Sequence, residues 1–206
     1  MRRTDLLVLA AALLVAAVLI LPQSGGPIFA FTERNYLLGG FLKFFVFATA
    51  GDALVHRLSK GMFRVPGLWV KAIAWGVLGV LVALAFQIFP AGIETLQKEG
   101  VLPSIATPLQ TSVVMNILFA PTLMFLHRLS DQLIDNRVLK TGKSLEEALK
   151  DIDVSAFSGM LLKTIPLFWI PAHTVTFILP IAFRPLFAAL LGVALGIFLN
   201  VFKRNR

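Results

Sequence analysis

Residues 168–184 read FWIPAHTVTFILPIAFR, and the reading of this stretch decides the fold. It is apolar enough to enter a membrane. Yet it carries Pro171, His173 and Pro180, which an unbroken membrane helix would avoid. Pro171 has no N–H and its ring strains the turn before it, so a kink is expected there, with a freed carbonyl near residue 167. Trp169, His173, Thr176 and Pro180 fall along one stripe at helical spacing. Pro180 and Arg184 are expected to end the span and turn the chain into a final helix.

The rest of the chain fits a membrane setting. Of its 206 residues 57% are hydrophobic and 15% charged, against about 45–50% and about 25% in soluble domains. The reading is an all-α polytopic helix bundle forming one membrane domain over 1–206, with the lipid bilayer as its first partner. Six runs are near the length a helix needs to cross the hydrocarbon layer: 6–21, 35–54, 67–89, 110–126, 166–183 and 185–202. The net charge of +8 does not point to nucleic acid, because the basic residues cluster between apolar runs. With the N-terminus inside, fifteen Lys and Arg fall in inner segments and three (Arg34, Lys98, Arg184) in outer ones. That asymmetry predicts six spans with both ends inside. Met1-Arg2-Arg3 and the first run resemble a signal peptide without a small-x-small cleavage site, which predicts an uncleaved signal anchor. A bacterial cytoplasmic membrane is the expected location, with mitochondrial inner and peroxisomal membranes as alternatives. Cysteine is absent, so no disulfide or thiolate site exists.

One long polar segment, 128–163, separates the fourth and fifth runs. Within it Ser144 and Glu147 have capping-box spacing. Leu145, Ala148, Leu149, Ile152 and Ala156 follow on one face, which predicts an amphipathic inner-surface helix over about 144–157. HRLS occurs at both 56–59 and 127–130, each time after a span running inward. Val65-Pro66-Gly67-Leu68-Trp69 also echoes Ile165-Pro166-Leu167-Phe168-Trp169. A parallel two-helix repeat is one reading of these matches, and such repeats are common in transporters.

Polar residues inside the spans carry the functional question. Lys43, Asn116 and His173 lie about 12, 9 and 15 Å from the outer ends of their spans at 1.5 Å per residue. Two readings stand. They line a hydrated lumen together with Thr176 and Trp169, or Asn116 and His173 bond between helices while Lys43 snorkels outward. A lumen with Lys43 and no carboxylate at that depth would favour anions. At the inner interface Asp52 and His56, and His127 and Asp131, are spaced four apart on helices. Capping and ion pairing with Arg57 and Arg128 explain this cluster better than a metal site, and neither metal nor cofactor is expected. Pro121 is a further expected kink. Ala188, Gly192, Gly196 and Asn200 form a small-residue packing stripe, as do Gly79, Ala83 and Gln87. The stripes serve internal helix contacts or a homo-oligomer. No HExxH, GxSxG or phosphate-binding glycine loop occurs, so no enzyme is expected.

Trp169-Ile170-Pro171-Ala172-His173, followed by Phe177, Pro180 and Arg184, resembles the signature of the Mpv-seventeen and peroxisomal-membrane-protein-twenty-two family. Gly51-Asp52 and the stretch from Asn116 to Pro121 resemble earlier parts of the pattern, and the likeness covers roughly 34–203. His173 stands where that family usually has Gln, and His56-Arg57 where it usually has Gln-Gln. The resemblance implies a small, weakly selective channel of an organelle or related membrane. The expected function is therefore a channel or facilitator for small solutes or ions, anionic ones among them. The alternative is a non-transporting scaffold acting through helix and surface-helix contacts.

Overall fold

The computed structural model describes residues 27–204, with side chains described over residues 30–196. All regular structure there is helical. In chain order the helices are α1 (Pro27–Arg34), α2 (Tyr36–Lys60), α3 (Leu68–Lys98), α4 (Thr107–Leu118), α5 (Ala120–Val138), α6 (Leu145–Lys150), α7 (Val154–Thr164), α8 (Ile170–Ile178) and α9 (Arg184–Arg204). A π-helical turn, Ile165–Trp169, joins α7 to α8, and a 3-10 turn, Ile181–Phe183, leads into α9.

Among the described residues three helices are long and apolar enough to cross a membrane: Tyr36–Lys60, Leu68–Lys98 and the continuous run Val154–Ile178. The pair α4–α5, bent by 46°, makes a fourth if it counts as one span. The run 6–21 lies outside the described residues. The run 185–202 falls within α9, whose 21 residues include side chains that are described only as far as Gly196.

Several boundaries differ from the sequence reading. Helix α3 does not stop at Phe89 but continues through Pro90 to Lys98. At 31 residues it is about 46 Å long, well beyond the roughly 30 Å of a hydrocarbon core. Pro90 costs one backbone bond, to the Phe86 carbonyl, and the polar last turns can reach water. Helix α5 likewise runs through 128–138, which the polarity of that segment had suggested was not a span. The bend expected at Pro121 is present: the chain breaks at Phe119, and Pro121 has no N–H to give the Ile117 carbonyl.

The amphipathic helix expected over 144–157 is two separate elements. Its start is as read: the Ser144 hydroxyl accepts from the Glu147 N–H, and the Glu147 carboxylate accepts from the Ser144 N–H. It then ends at Lys150, because Asp153 adopts an extended conformation and caps a new helix by accepting from the Ala156 N–H. Aspartate stabilises a helix start better than a helix interior. Ala148 and Ile152 are buried, whereas Leu145 and Leu149 are exposed. The apolar helical run expected from Pro166 therefore begins at Val154, twelve residues earlier.

Packing centres on α2 and α3, with α9 against α2 and α4 against α8. Close approach at the first crossing needs glycine: a Cβ on Gly40 would lie 2.7 Å from the Ala83 Cβ, and one on Gly79 would lie 2.6 Å from the Gly40 carbonyl. On α9 a Cβ at Gly196 would lie 2.8 Å from Val55. Phe44, Phe47, Val82, Phe86, Met115, Phe177, Leu186 and Ala189 fill the core between these helices. The opposite face of α3 leaves Trp69, Val70, Ile73, Val77, Leu84 and Ile88 exposed, Trp69 by 75%. A continuous exposed apolar face of this kind suits lipid.

Candidate functional site

Two polar assemblies are built into this apolar bundle. The first is a seam between α4 and α8. Asn116, fully buried, donates from Nδ2 to the Ser112 carbonyl at 2.8 Å and lies 3.2 Å from the Ser112 hydroxyl. A carbonyl only accepts, so this bond fixes the amide orientation and turns Oδ1 toward α8. There Oδ1 meets His173 Nδ1 at 3.0 Å. Because Oδ1 can only accept, Nδ1 carries the proton and Nε2 is left as an acceptor. Ser112 Oγ donates to the Ile170 carbonyl at 2.7 Å, completing the seam. Asn116 and His173 thus bond between helices, as one of the two sequence readings has it.

Around His173 the rings are ordered. Trp169 stacks on it with centroids 5.3 Å apart, and Phe86 meets its edge at 5.8 Å. The Trp169 indole N–H is buried with no hydrogen-bond partner among the described residues. Trp169 closes the π-helical turn, where the Ile170 N–H reaches the Ile165 carbonyl. The kink expected at Pro171 takes this form: a widened turn between Pro166 and Pro171 within one helical run. Pro180 instead lies beyond the end of α8, after the extended residue Leu179.

The second assembly lies where α2, α3 and α5 meet. Trp75 Nε1 donates to Asp52 Oδ2 at 2.6 Å, and the Trp75 ring lies 4.1 Å from that of His127. His127 Nε2 is 3.9 Å from Asp131 Oδ2. Lys71 Nζ bridges Asp131 at 3.5 Å and Asp135 at 2.9 Å. Asp52, His127 and Asp131 are brought together as the sequence suggests. His56 is not, because its Nδ1 is 3.0 Å from the Met62 carbonyl. Lys71, Trp75 and Asp135 were missed. Their signal was available in the four-residue spacings Lys71–Trp75 and His127–Asp131–Asp135. Among the described residues no three His, Asp or Glu side chains form a metal-ligand set.

Between the two assemblies lies a cavity of about 280 Å³. Its wall is mostly apolar, from Phe44, Val82, Phe86, Met115, Phe119 and Leu123 among others. The polar exceptions are Asp52, Trp75 and His127 in one region and Trp169 and His173 in the other. Lys43, Asn116 and Thr176 do not line it. Lys43 Nζ donates to the Ala182 carbonyl at 2.7 Å, tying α2 to the turn before α9. Thr176 is fully buried and bonds back to the Ala172 carbonyl at 2.9 Å. Ala188, Gly192 and Gly196 all border the cavity. A Cβ on Gly192 would meet no atom within 4 Å, so this member of the stripe opens space instead of packing a neighbour. Asn200 lies outside the described side chains. Compared with protein-family models, with curated proteins and with solved structures, the chain matches none.

Proposed function

We propose that the protein is an integral membrane facilitator or channel for small solutes, a six-span bundle with both termini on the inner side. The observation that carries this reading is the cavity of about 280 Å³, walled by residues of α2, α3, α4, α5, α8 and α9. It approaches the lower end of the roughly 300–1,000 Å³ usual for ligand sites. Its few polar groups sit in an apolar wall, a pattern that orients a solute and supplies selectivity. The resemblance of residues 165–184 to a family of small membrane channels supports the same reading. A parallel two-helix repeat would add to it: α2 packs on α3 and α4 on α8, and Ser59 and Ser130 bond alike to the carbonyls of His56 and His127. A solute site between such halves is the usual transporter arrangement. Lys43 gives no reason to prefer anions, because its ammonium is committed to the Ala182 carbonyl away from the cavity.

The test is flux. Purified protein reconstituted into liposomes should pass small neutral or charged organic solutes faster than protein-free liposomes do, and the flux should saturate. Impermeable liposomes across such a panel, with the protein folded and inserted, would favour the scaffold reading instead.

A further inference from the structure

Asp52 brings a carboxylate to the cavity wall. Its Oδ2 is occupied by the Trp75 indole N–H, while its Oδ1 receives no donor among the described residues. No lysine or arginine lines the cavity among those residues. Lys43 and Lys71 are committed elsewhere, Lys43 to the Ala182 carbonyl and Lys71 to Asp131 and Asp135. The other titratable groups of the wall are His127 and His173. His127 faces Asp131, its Nε2 3.9 Å from Asp131 Oδ2. His173 donates through Nδ1 to Asn116 and keeps Nε2 as an acceptor. In the assembly around Trp75 three carboxylates therefore stand against one ammonium and one imidazole.

The remaining wall suits a particular cation. Phe44, Trp75, Phe86, Phe119 and Trp169 present rings, and Met115 and Met124 thioethers. Ring faces attract ammonium groups, and methionines adapt to irregular apolar bodies. A bare metal ion wants about six oxygen ligands, which one carboxylate does not supply. An anion would meet Asp52 with no compensating cation. We propose that the cavity binds small organic amines in their protonated form, the ammonium on Asp52 and the hydrocarbon body against the Phe and Met wall. This rests on the facilitator reading and names its substrate class.

Binding is measured on the full chain in detergent with three matched probes: 2-phenylethylammonium, phenylacetate and 2-phenylethanol. In a Trp69→Phe background the remaining tryptophans, Trp75 and Trp169, both line the cavity, so their fluorescence reports occupancy. The ammonium should bind about tenfold to a hundredfold more tightly than the alcohol, the effect of one charge-assisted hydrogen bond. Phenylacetate should bind worst. Asp52→Asn, which keeps an acceptor for Trp75, should erase the preference for the ammonium over the alcohol. Equal affinity for all three probes on the unmodified cavity, or tighter binding of phenylacetate, overturns the proposal whether or not the variant folds. Retention of the preference in folded Asp52→Asn does the same. Flux of solutes without an amine preference would leave the facilitator reading standing and sink this one. Selective amine binding without flux would do the reverse.

Discussion

His173 shows how one polar residue is made tolerable inside an apolar helix. Its Nδ1–H is satisfied by Asn116, and Asn116 by Ser112, so the cost of burial is met across two helices. Removing Asn116 leaves a buried donor without a partner. Asn116→Ala should destabilise the bundle by about 1–3 kcal/mol, measured by unfolding in mixed micelles. His173→Gln can still donate to Asn116 Oδ1 and should be milder than His173→Leu. Lys43 is a second case. Lys43→Met removes the bond that holds the turn at Ala182. It should lower stability by about 1.5–3 kcal/mol without changing which solute charges pass, in a paired unfolding and flux assay. Depth alone marked Asn116 and His173 as candidates but placed Lys43 with them, so it left the seam and a shared lumen as open alternatives. The destination of Lys43 was not legible. It depends on where the chain breaks after α8, and no spacing in α2 reports that.

At the scale of elements, local rules were readable and endings were not. The capping box at Ser144 and Glu147 formed as its spacing implied. The helix it starts is nevertheless six residues long, since Asp153 starts another. Hydrophobic periodicity over 144–157 bridges that break because it ignores capping. Polarity misled in the other direction at α3 and α5, whose helices run on through polar last turns. The bond from the Ser144 N–H holds the Glu147 carboxyl below its usual range, and Asp151 beside Lys143 raises that ammonium. A carboxyl lowered in the fold supports it above its ordinary value of 4.5 and loses that support as pH falls through the lowered one. A raised ammonium supports the fold below its ordinary value of 10.5 and loses that support as pH rises through the raised value. The Ser144 and Glu147 amide resonances should therefore hold steady near neutral pH and shift toward coil positions below the ordinary glutamate range. Ser144→Ala should speed hydrogen exchange across α6 about fivefold.

The whole molecule is a bundle whose most extensive crossing, α2 on α3, leaves space on its far side toward α5, α8 and α9. Small residues act in two ways. Gly40 and Gly79 bring backbones together, and a side chain at either would push the helices apart. Gly192 belongs to a stripe of the same spacing yet faces open space. The sequence shows the stripe but not the difference, which depends on what lies opposite each position. Asp52 is similar: its grouping with His127 and Asp131 was legible, but α2 runs on to Lys60 and so sets it inside the helix and not at its end, and its place in the wall of a cavity required the α3 and α5 packing that sets Trp75 and His127 beside it.

Gly192 offers the most direct test that this cavity is the solute's path. A Cβ at Gly192 meets no atom of the described residues within 4 Å and Gly192 borders the cavity, so Gly192→Phe should put a ring into that space. The measurement is saturable uptake of 2-phenylethylammonium into proteoliposomes, wild type against Gly192→Phe, with equal insertion and thermal stability checked. Uptake by the wild type and its loss in the variant is the predicted result. Uptake at the same rate by a folded Gly192→Phe protein would contradict the account.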